Sequence, residues 1–109
     1  MTLRDKLAAL TAPCREVDAE IAEALTGGAC IWSRAICGYR FADGGAEVPH
    51  YTASLDATVE LVEREMGWDW DIERYEGEVV VTLDGIHQHG HDLPAVAMLL
   101  ALVNAKGIE

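Results

Sequence analysis

Between residues 68 and 84 apolar and acidic side chains alternate. Trp68, Trp70 and Ile72 stand between Asp69, Asp71 and Glu73, and Val79, Val81 and Leu83 resume the period after Glu76-Gly77. A period of two marks a strand with one face buried and one in water. Glycine at 77 favours a tight two-residue turn, although glutamate is an unusual residue to open it. Such a loop fixes the register, setting Trp70 opposite Leu83, Ile72 opposite Val81 and Arg74 opposite Val79. All the apolar pairs then share one face. The other face carries Asp69, Asp71, Glu73, Glu78 and Asp84, with Tyr75, Val80 and Thr82 between them.

Helical spacing governs most of the remainder. Thr2 suits the cap of a first helix, with Leu3, Leu7 and Leu10 along one side. Pro13 fits the start of a second helix, whose stripe is Val17, Ile21, Ala24 and Leu25 and whose Asp18, Glu20 and Glu23 face water. Gly27-Gly28 ends it. Ser54 caps a third helix carrying Leu55, Val59, Val62 and Met66, with Asp56 in the first turn and a stop at Gly67. The last helix opens at Asp92 or Leu93, with Pro94 in its first turn. It is apolar on nearly every side from Val96 to Val103, so it is expected to be the most buried. Residues 29–50 are harder to read: Cys30–Cys37 is apolar enough for a strand, 41–45 reads as a loop, and 46–51 as a short edge strand limited by Pro49. Residues 85–91 read as a histidine-rich loop. The pattern predicts one α+β domain over residues 1–109, a small antiparallel sheet with about four helices packed on it.

Charge narrows the partners. Residues 56–92 hold eleven acids against Arg64 and Arg74, a balance of −9 within a total of −11. Direct binding to nucleic acid or to an anionic membrane needs clustered Lys and Arg, so neither is expected. The longest apolar run, Leu93 to Val103, is shorter than the roughly 20 residues a membrane span requires. Thr2–Leu10 is charged and amphipathic rather than basic then apolar, so no secretory leader is expected. Cys14, Cys30 and Cys37 are odd in number and form no CxxC pair, which favours reduced thiols in a cytoplasm.

Several strings resemble the phage ABA sandwich domain family. They are Val17-Asp18-Ala19-Glu20-Ile21-Ala22 followed by Leu25, then Tyr51-Thr52-Ala53-Ser54-Leu55-Asp56-Ala57, Trp68-Asp69-Trp70, and the helix opening Leu93-Pro94-Ala95. The resemblance implies an α+β sandwich with a sheet between helices, in the cytoplasm of a bacterial host. It brings no established activity and no catalytic residues. Residues 29–45 and the histidine-rich stretch depart from it.

Candidate chemistry is sparse. His87, His89 and His91, joined by His50 or Asp92, are candidate zinc ligands. Residues two apart on an extended chain point the same way, about 6.8 Å apart. The competing reading is a polar loop whose histidines charge as pH falls. A cysteine nucleophile would need a neighbouring histidine, and the spacing provides none. Asp69, Asp71 and Glu73 read as the solvated side of a strand rather than an acid/base cluster, and they lack a calcium loop's glycine and twelfth-position glutamate. Trp68 and Trp70 read as core. Gly27-Gly28 and Gly44-Gly45 lack a phosphate-loop context.

The expectation is a non-enzymatic phage or prophage accessory protein without a cofactor. It would meet a basic protein partner through Asp69, Asp71, Glu73, Glu78 and Asp84, and mimicry of DNA charge against a host defence complex is one form of this. A metal-dependent enzyme built on the histidines and a structural virion component are the alternatives. The apolar last helix leaves room for a homodimer.

Overall fold

A helix that is apolar on every side must be surrounded, and the last helix of this chain is. The structure, a computed structural model, describes residues 2–67, 69–85 and 87–108, with the backbone alone at Tyr75 and His87. Helix α4 (Pro94–Ala105) is buried at every position from Ala95 to Val103. Around it lie a three-stranded antiparallel sheet and two further helices, α1 (Leu3–Ala9) and α3 (Leu55–Met66). The sheet is β3 (Trp70–Tyr75), β4 (Glu78–Leu83) and β5 (His87–His91), with β4 in the middle. Helix α2 (Arg15–Thr26) packs beside α1 and carries a separate hairpin, β1 (Cys30–Ser33) and β2 (Gly38–Phe41). The fold is mixed α+β, with helices packed on small antiparallel sheets.

The β3–β4 register agrees with the sequence: Trp70 opposes Leu83, Ile72 opposes Val81 and Arg74 opposes Val79. Glu76 and Gly77 both take positive φ, 52° and 85°, the backbone of a primed two-residue hairpin turn. Val79, Val81 and Leu83 are buried on the α4 side, each such side chain contributing about 1.5–3 kcal/mol. Trp70 and Ile72 are half-buried and pack on the same core. The Trp70 indole N–H donates to the Glu63 carboxylate at 3.2 Å. Trp68 lies outside the described residues.

Caps close α1 and α3 where the sequence places them. Thr2 and Asp5 form a reciprocal capping box on α1, and the Ser54 hydroxyl accepts from Ala57 N–H at 3.1 Å. Leu93 has no side-chain oxygen to cap α4. Its own N–H donates instead to His91 Nδ1 at 3.0 Å.

Five expectations are corrected. Residues 87–91 form strand β5 rather than a loop, pairing antiparallel with β4 from Val79–His91 to Leu83–His87. Asp84 and Gly85 turn the chain with φ of 54° and 73°. Residues 30–37 are not one strand: the chain turns at 34–37 and returns as β2. The 46–51 segment contributes a single bridge, Arg40 to Glu47, because it soon turns inward to bury Val48 and Tyr51. Asp18 does not face water. It is 1% exposed, ion-paired with Arg15 at 2.8 Å, and accepts from Thr52 N–H at 2.7 Å. Helix α2 begins at Arg15, so Pro13 precedes its cap, and Ala19 and Ala22 rather than Ala24 join its buried side.

Candidate functional site: an open acidic sheet face and its edge

Alternation along β3 and β4 separates a core face from a solvent face, and α4 occupies only the former. On the latter, Asp71, Glu73 and Glu78 are exposed, and so are Asp69 and Asp84 at the end of the hairpin. Asp84 N–H donates to Asp69 C=O at 2.8 Å, extending the ladder one pair beyond the named strands. The strand rise sets Asp71 about 6.8 Å from each of Asp69 and Glu73. That is within the roughly 8 Å screening length of physiological salt, so their fields add. Among the described residues the ion pairs are Lys6–Glu20, Arg15–Asp18, Arg64–Glu65 and Lys106–Glu65. None engages these five carboxylates.

The histidines lie elsewhere than on a surface loop. His89 and His91 sit opposite Val81 and Val79, so they occupy the α4 side of the edge strand, both half-buried. His91 Nδ1 is committed to the start of α4. The His87 side chain lies outside the description. His50 is exposed, and its carbonyl accepts from Ala53 and Ser54 N–H in a turn. Among the described residues no three His, Cys, Asp or Glu side chains converge to hold a metal ion.

An open groove of about 510 Å³ runs between β5 and α1, walled by Asp5, Glu78, His89 and Asp92 and touching Leu100 of α4. Gly90 belongs to it. A side chain there would collide with Glu78, whose carboxylate lies 2.8 Å from where a Cβ would stand. Glu78 thus lies across the open face at the sheet's margin, and that face continues into the groove.

The cysteines are free thiols, Cys37 exposed and Cys14 and Cys30 half-buried. Burial, aided by the Glu23 charge, pushes the Cys30 thiol up from its ordinary value, the opposite of nucleophile activation. Cys14 lines a groove of about 270 Å³ with Lys6, Leu10, Glu16 and Glu20, and no histidine lines it among the described residues.

One surface was missed from sequence. Ile31, Trp32 and Ile36 are 41%, 58% and 45% exposed, all on the β1–β2 hairpin. Trp32 meets Tyr39 edge-on at 5.4 Å. The apolar run hid this, because it reads as one buried strand and the turn at 34–37 contains neither glycine nor proline.

These elements define an α+β protein with a bare, negatively charged sheet face. No protein-family model, curated protein or solved structure matches the chain. No helix among the described residues is long and apolar enough to cross a membrane.

Proposed function

We propose that this protein is a non-catalytic interaction module that meets a basic protein partner through the open face of its three-stranded sheet. One observation carries the reading: Asp69, Asp71, Glu73, Glu78 and Asp84 are all exposed and none is in an ion pair among the described residues. A row of unneutralised charge on a rigid strand speeds encounter with an opposite patch and fixes its orientation. The resemblance to phage ABA sandwich domains suggests a phage or prophage setting. There, a nucleic-acid-binding host protein, displaced from DNA by mimicry of its charge, is the pointed form of the proposal.

The test is capture of partners from bacterial host lysate on immobilised protein. Wild type is compared with an Asp71→Lys/Glu73→Lys variant at about 50 mM and about 500 mM salt, which shortens the screening length roughly threefold. A specific partner retained at low salt, released at high salt and lost in the variant supports the reading. A specific partner indifferent to both changes removes the electrostatic mechanism.

A further inference from the structure

Strand β5 is an edge, and its backbone has a direction that follows from the register. A two-residue loop closes on a hydrogen-bonded pair, so Tyr75–Glu78, Glu73–Val80 and Asp71–Thr82 exchange bonds between β3 and β4. The intervening residues of β4, Val79, Val81 and Leu83, must then turn their N–H and C=O groups toward β5, where they meet His91, His89 and His87. Gln88 and Gly90 therefore direct their N–H and C=O groups away from the sheet, and Gly90 lines the groove beside α1. No strand pairs with that side among the described residues.

Natural edges are usually blunted by lysine, proline, a bulge or a covering element. Strand β5 is His-Gln-His-Gly-His, pairs without a bulge, and faces a groove rather than a helix packed onto it. Gly90 removes the side chain that would stand on the open face at its margin, as strand glycines do where another backbone approaches. The groove walls decide what can approach. Asp5, Glu78 and Asp92 supply three carboxylates, against the Arg4 guanidinium, whose Nη2 is already donated to Ile108 C=O at 3.2 Å.

We infer that the free edge of β5 receives an extended basic segment of a partner protein, which adds a fourth strand through the backbone groups of Gln88 and Gly90. Alternate Lys or Arg side chains of that segment reach Glu78 on the open face and Asp5 and Asp92 in the groove. Backbone pairing supplies affinity and the carboxylates supply selection for charge. The inference rests on the interaction reading above and names the partner's conformation and docking position.

The probe is a short synthetic peptide alternating Lys and Thr, titrated into isotope-labelled protein and followed by amide shifts and amide exchange. Gln88 and Gly90 amides are expected to shift and to gain protection. Methylating the backbone nitrogens on one edge of the peptide keeps its charge and removes its pairing, so binding should weaken roughly tenfold, the loss of about two net hydrogen bonds. Gln88→Pro deletes one outward N–H on the protein side and should weaken the parent peptide roughly threefold, the loss of about one net hydrogen bond; the methylated peptide leaves the protein intact should that variant fold poorly. Equal binding of methylated and parent peptides overturns the inference, as does no binding at all. If binding survives methylation yet is lost in Asp71→Lys/Glu73→Lys, the open-face reading stands and the edge does not.

Discussion

Asp18 offers the sharpest check on how this molecule is held together. It sits in the first turn of α2 with its side chain 1% exposed, paired with Arg15 at 2.8 Å. Its second oxygen accepts from Thr52 N–H at 2.7 Å, and Arg15 also donates to the carbonyls of Val48, at 2.7 Å, and Pro49, at 3.1 Å. One acid thus ties α2 to a loop 34 residues away in sequence. Replacing it by alanine leaves Thr52 N–H buried without a partner, at about 1–3 kcal/mol, and deprives Arg15 of its counter-charge. Breaking a fully buried pair costs about 3–5 kcal/mol. Arg15 keeps 26% exposure, which lowers the expected loss for Asp18→Ala to about 2–4 kcal/mol. Asp18→Asn retains an acceptor for Thr52 and should lose only about 1–2 kcal/mol. Urea unfolding reads both values through the midpoint, at unchanged slope. Asp71→Ala, from the open face, is the control and should stay within about 0.5 kcal/mol of wild type. If Asp18→Ala unfolds within that same margin, the buried cluster is not a structural tie and the reasoning fails.

Other expectations follow from packing and titration. Val81→Ala, at the centre of the sheet's buried face, should cost about 2–3 kcal/mol in urea or thermal unfolding. Gly90→Ala should cost under about 1 kcal/mol, since the obstacle is the mobile end of Glu78, and the cost should shrink in a Glu78→Ala background if that clash is its source. Tyr51 is raised from its ordinary value of 10.0 by burial, opposed by Arg64. Its neutral form is therefore favoured by folding, and stability should be lost as pH rises above about 10, an effect that Tyr51→Phe should reduce in alkaline unfolding curves. With a thiol reagent near pH 8, Cys37 should react first. Cys30, raised by burial from 9.0, should lag and accelerate only at higher pH.

The parts legible in sequence were those where one force dominates. Alternation along 68–84 fixed a register because a one-residue slip would have turned every valine into water. Helix α4 was legible because its apolar residues leave no polar side. Strand β5 was not, although Asp84-Gly85 after alternating apolar residues is a strong short-range hairpin signal. Its histidines disguised it, since an edge strand needs only its inward positions half-buried. Asp18 was misread because periodicity reports which residues are apolar, and a buried acid is excused only by partners far along the chain, here Thr52. The open face lay within reach of charge patterning; the groove beside it did not, because it depends on α1 lying alongside β5.

The central position of α4 has a consequence for synthesis. While a ribosome has released only the segments up to Leu93, the valines of β4 and the inner sides of α1 and α3 lack the helix they are shaped around. Such a nascent chain exposes apolar surface that chaperones bind and proteases probe. Native packing of β4, α1 and α3 therefore waits for residues 94–105 to emerge from the exit tunnel.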